Sequence, residues 1–138
     1  MPNPHLHRIR VRYAESDQMG LAHHGAYVGW LEEARIEWLR ANGLSYRELE
    51  VQGVLMPVTE LALDYRRPLR FDDQVELTTS AVLVGPTRVA FTTVLRVAGA
   101  GEVTAEGRVT IACVGRDGRP KRLPAEVAAT VGTGPEVR

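Results

Sequence analysis

One cysteine, Cys113, in 138 residues excludes an intrachain disulfide. In "VTIACVG" it reads as a small core hydrophobe, suited to a reducing compartment. Charge of one sign is also lacking. Seventeen basic and seventeen acidic side chains cancel, so no overall field marks the chain as a nucleic-acid or anionic-membrane binder. No run approaches the roughly 18 apolar residues of a membrane-spanning helix. The opening "MPNPHLHRIRVRY" has no apolar leader core either, and a cytoplasmic protein is expected. Neither His-x-x-x-His nor Cys-x-x-Cys is present, so neither a metal nor a cofactor is expected. Without an internal repeat or linker, residues 1–138 read as one domain, with "GTGPEVR" at 132–138 a frayed tail.

What is present changes period along the chain. "HLHRIRVRYA" alternates well enough for a first strand, with Leu6, Ile9, Val11 and Tyr13 as its apolar positions. From Tyr27 the spacing of Tyr27, Trp30, Leu31, Ala34, Trp38 and Leu39 predicts a helix that ends at "ANGL", with Gly43 its left-handed terminator. Glu32 and Glu33 early, Arg40 late and the Glu32/Arg35 spacing agree with it. "SYRE" predicts a short second helix that stops at Gly53. Four strands follow, over 54–67, 73–84, 87–98 and 102–115, parted by turn-prone segments, with "RDGRP" a further turn. The order implies an α+β fold, an antiparallel sheet packed on one main helix.

Between the first strand and the helix lies "ESDQMGLAHHGAY", residues 15–27. With its flanks it gives Tyr13, Ser16, Asp17, Gly20, His24, Tyr27, Glu32 and Arg35. This pattern resembles the signature of hotdog-fold acyl-CoA thioesterases of the 4-hydroxybenzoyl-CoA thioesterase-like branch. The resemblance continues through "YRRPLRFDDQVEL", at Pro68 and Asp73, and covers nearly the whole chain. Ser16 where threonine is common, and "LAHH" where "VYH" or "VNH" is common, are mild departures. The family's hotdog fold wraps the sheet around one long central helix. Two subunits pair their sheets edge to edge, with acyl-CoA sites at the interface. A homodimer or dimer of dimers acting on an acyl-CoA substrate is therefore expected.

Thioester hydrolysis needs a nucleophile or base at the carbonyl carbon and hydrogen-bond donors at the carbonyl oxygen. A carboxylate at Asp17 is ionised at neutral pH and can attack, or orient a water, without an activating histidine. The unpaired N–H groups at a helix start near His24 to Ala26 supply the donors, and Gly25 leaves the approach open. The resemblance assigns the same parts, giving Asp17, His24 and Gly25 as the catalytic set. The expected substrate-binding set is Tyr13, Gly20, His23, Ala26, Tyr27, Trp30, Glu33, Arg67 and Arg88.

Blander readings stand beside these. Asp17 and Ser16 are residue types at home in turns. The adjacent His23 and His24 read as one solvent-facing and one packed side chain, with His24 orienting the loop. Tyr27, Trp30 and Trp38 are core residues by spacing, and Glu33 suits an exposed helical position as well as one that positions a water. Coenzyme A phosphates suit either basic cluster, Arg66/Arg67/Arg70 or Arg116/Arg119/Lys121/Arg122, with Arg88 a third candidate. Ordinary solvated turns explain the clusters equally. A noncatalytic acyl-CoA-binding module is the main alternative function. A hydratase or dehydratase on the same fold is disfavoured, because Asp-x-Asn-Pro-x-His is absent.

Overall fold

A computed structural model describes residues 3–132. It contains five strands, β1 (His5–Arg10), β2 (Val58–Tyr65), β3 (Gln74–Leu83), β4 (Arg88–Val97) and β5 (Ala105–Ala112). Three α-helices, α1 (Ala26–Ala41), α2 (Tyr46–Val51) and α3 (Ala125–Val131), and a 3₁₀ turn over Tyr13–Glu15 complete it. The strands form one antiparallel sheet in the order β1-β3-β4-β5-β2, so β1 and β2 are its edges.

Helix α1 packs against one face of the sheet. Leu31, Ala34 and Trp38 on α1 share one buried cluster with Leu77, Phe91, Leu95, Val109 and Ile111 from the strands. The Trp38 ring meets Phe91 edge-on at 5.7 Å. Cutting a fully buried tryptophan such as Trp38 to alanine costs on the order of 3–5 kcal/mol. The helix sits close because Gly107 beneath it has no side chain: a Cβ there would stand 2.6 Å from a Leu31 methyl. Gly43 at φ +79° ends α1, and Ser45 Oγ accepts the Glu48 N–H at the start of α2, both as expected from sequence.

The differences from the sequence expectations have local causes. The first strand stops at Arg10, and Tyr13 belongs to the 3₁₀ turn. Its inward positions are His5, His7 and Ile9, while Leu6 faces outward, because Leu6 and Ile9 are an odd number of residues apart. β2 begins at Val58 rather than Val54, since Pro57 has no N–H to give the ladder. Val54 and Met56 instead enter the core. The Glu32/Arg35 pair does not form: Arg35 is buried on the flank of α1 and its Nε has no partner among the described residues. The (i, i+3) ion pair of α1 is Glu37 with Arg40. Helix α3 was not expected; it covers the sheet with Val127 and Val131. Of the expected tail, residues 133–138 lie outside the described residues. No helix among those described is long and apolar enough to cross a membrane.

Candidate active site

The loop from Ser16 to Gly25 folds back on itself through its own polar groups. Asp17 N–H donates to the Leu21 carbonyl at 2.8 Å, and Gly20 N–H to the Asp17 carbonyl at 3.0 Å. Gly20 at φ +76° makes this reversal, a conformation glycine adopts without a Cβ clash. The Asp17 carboxylate closes it, with Oδ1 accepting from Met19 N–H at 2.8 Å and Leu21 N–H at 3.1 Å. The exposed Oδ2 takes no hydrogen bond from the described residues.

Helix α1 begins without a side-chain cap at Gly25. His23 does that work from two residues back: its Nδ1 accepts the Gly25 N–H at 3.0 Å and its carbonyl accepts the Ala26 N–H at 2.9 Å. His23 and His24 are both exposed and stack at 4.4 Å, so neither is the packed histidine expected from sequence. Of the three amides expected to meet a carbonyl oxygen, those of Gly25 and Ala26 are thus engaged, and the His24 N–H makes no bond among the described residues.

A cavity of about 400 Å³ opens beside this helix start, lined by Asp17, Leu21, Ala22, His24, Tyr27, Tyr65, Arg66, Arg67 and Pro68. It brings together Asp17, His24, Tyr27 and Arg67 from the expected set. Tyr27 is buried, with its ring 4.8 Å from Trp30 and edge-on to Tyr65 at 4.9 Å. Burial pushes the Tyr27 phenol up, opposed by a hydrogen bond with the Leu69 backbone. Arg67 is held by Glu102 at 2.6 Å, and Arg66 by Asp64 and Glu106.

Other expected residues lie elsewhere. Tyr13 is exposed and packs edge-on against Phe71. Gly20, His23, Gly25 and Ala26 shape the loop without lining the cavity. Trp30 and Glu33 line a second depression with Arg8, Ile9, Arg10, Arg12 and Glu15. There the Trp30 indole donates to Glu15, and Glu33 Oε2 meets His7 Nε2 at 2.5 Å. Arg88 opens β4, 3.9 Å from Glu60 and away from both. No group of three or more histidine, cysteine or acidic residues among those described is placed to hold a metal.

Sequence reasoning missed Tyr65, whose hydroxyl donates to the His24 carbonyl at 2.9 Å. The available signal was its place in "YRRPLR", a stretch noted only for its arginines and Pro68.

The profile of the thioesterase-like superfamily matches residues 11–131. The chain belongs to that superfamily. Among individual relatives of this thioesterase-like protein, the acyl-CoA thioester hydrolase YbgC of Escherichia coli O157:H7 is 31% identical over 123 residues, 88% of this chain and 90% of that one. The putative acyl-CoA thioesterase YneP of Bacillus subtilis is 40% identical over 65 residues, so the match spans about half of each chain, 47%. The crystal structure of protein TT1821 from Thermus thermophilus superposes with a TM-score of 0.84 at 36% identity, covering 91% of this chain and 95% of that one. The five-stranded sheet around α1 is the hotdog fold.

Proposed function

We propose that this superfamily member hydrolyses the thioester bond of an acyl-CoA to a free carboxylic acid and CoA. The observation that carries the reading is the Asp17 carboxylate on the wall of the cavity that also receives His24, at the start of α1. The names of the Escherichia and Bacillus relatives support the same substrate class.

In this reading the thioester carbonyl carbon lies at Asp17 and its oxygen at the His24 N–H. The turn amides of Met19 and Leu21 fix Oδ1 and leave Oδ2 to react. As nucleophile, Asp17 adds to the carbonyl carbon, forming a carbon–oxygen bond and an oxyanion, whose collapse breaks the carbon–sulfur bond. The thiolate then leaves and takes up a proton, and water cleaves the resulting anhydride. As base, Asp17 takes a proton from the attacking water, and the same thiolate departs. Both routes place growing negative charge on the carbonyl oxygen, where a preset N–H and the positive end of the helix stabilise it.

Edge strand β2 has no strand beyond it among the described residues and exposes Val58, Leu61 and Tyr65. An open edge of this kind suits pairing with a second copy, and the functional unit is proposed as a homodimer or dimer of dimers. Unpaired, buried Cys113 suits the reducing cytoplasm.

One observation favours the noncatalytic reading: the bonds from Met19 and Leu21 are those that a purely structural turn aspartate would make. Free-thiol release from a panel of aliphatic and aromatic acyl-CoAs separates the two. Turnover of at least one thioester is expected; saturable binding with no thiol released from any would reject hydrolysis.

A further inference from the structure

The His24–Gly25 peptide is held from both sides. Its carbonyl accepts the Tyr65 hydroxyl at 2.9 Å, and its N–H donates to His23 Nδ1 at 3.0 Å. A peptide unit is planar, so fixing both ends leaves the plane no rotation. Each anchor is itself fixed. The Tyr65 ring stands edge-on to buried Tyr27 at 4.9 Å. His23 donates its own N–H to the Glu15 carbonyl at 2.7 Å and stacks on His24. The clamp joins the end of β2 to the start of α1, two elements 41 residues apart at this contact. Glycine at position 25 makes such a clamp necessary, because a peptide next to glycine turns over at little cost.

We propose that Tyr65 is a positioning residue for the reaction, acting with His23 through the His24–Gly25 peptide. The proposal rests on the hydrolytic reading of the cavity. Both His24 and Tyr65 line that cavity, and the His24 carbonyl, with its partial negative charge, is bonded between these two lining residues. The Tyr65 hydroxyl satisfies that oxygen and draws its charge away from where the thioester oxygen becomes negative. Losing the hydroxyl leaves this exposed carbonyl to mobile water in place of a fixed donor and frees the peptide to rotate. The penalty falls on the transition state, where the charge exists, and hardly on the uncharged ground-state thioester.

Tyr65→Phe removes only the hydroxyl and keeps the ring contact with Tyr27. The expected result is a fall in kcat of about tenfold with KM changed less than about threefold. Amide exchange across residues 24–27 should quicken while the strands exchange at wild-type rates. His23→Ala frees the other end of the same peptide, so the double variant should lose less than the product of the two single losses. An unchanged kcat overturns the proposal. So does a fallen kcat with unchanged exchange at 24–27, which would make Tyr65 a direct substrate contact, or a fall with faster exchange throughout the sheet, which would make it structural only. If the wild type releases no thiol from any acyl-CoA, the hydrolytic reading fails, while the exchange data still decide whether the clamp exists.

Discussion

The Trp30 indole N–H donates to Glu15 Oε2 at 2.9 Å, tying the buried face of α1 to the 3₁₀ turn that enters the loop. The same carboxylate accepts the Arg12 N–H at 2.8 Å and an Arg12 guanidinium N–H at 3.2 Å. Burial alone would push the Glu15 carboxyl up. The bonds from Arg12 and Trp30 outweigh it and hold the group below its ordinary value of 4.5.

A depressed carboxyl stabilises the fold above its unfolded-state value, and that stability is lost as pH falls through the folded value. Glu15→Gln should therefore cost on the order of 1.5–3 kcal/mol near pH 7, the range for bonds to a charged group. The gap between wild type and variant should narrow below about pH 4.5. Denaturant unfolding of both proteins across this range measures it. A gap that stays constant with pH would show that the charge is not what matters.

Gly107 lies under Leu31, where an added Cβ would be 2.6 Å from one methyl and 2.8 Å from the other. Because this contact is with a core side chain in the middle of the sheet, Gly107→Ala should destabilise by about 1–3 kcal/mol. Gly29→Ala is the control, since nothing lies within 4 Å of its added methyl. Thermal unfolding of the pair should lower the melting temperature for position 107 alone.

The fold was legible where one periodicity ruled. α1 spans Ala26–Ala41, against an expected start at Tyr27, because seven of its residues are buried at three-and-four spacing. β3, β4 and β5 alternate or run apolar clearly enough to be found within about three residues. Edges were harder. β1 turns two histidines inward, one of them to meet Glu33, and no hydropathy pattern announces that. α3, at seven residues, is too short for its period to stand out. At the site, the loop motif located Asp17 and His24 on one cavity wall. What it did not hold is long-range: Tyr65 comes from another strand, and His23 occupies two amides through its own ring and carbonyl.

The open edge of β2 carries the proposal of self-association. Leu61 is 41% exposed there. Leu61→Lys places a charge on the edge, which opposes strand pairing. Wild type should sediment as a dimer or tetramer at micromolar concentration and Leu61→Lys as a smaller species, with the isolated fold intact by circular dichroism. A wild-type monomer would remove the interface from the account.

The central claim is that the Asp17 carboxylate carries out the hydrolysis, and Asp17→Asn tests it most directly. Asparagine keeps the side-chain oxygen that accepts from Met19 and Leu21 and removes the charge. Acyl-CoA turnover, followed by thiol release beside equilibrium binding of the same thioester, should fall by roughly 10²- to 10⁴-fold with affinity little changed. A folded Asp17→Asn protein that binds acyl-CoA and hydrolyses it at close to the wild-type rate would contradict the claim and reduce Asp17 to the turn residue its hydrogen bonds already make it.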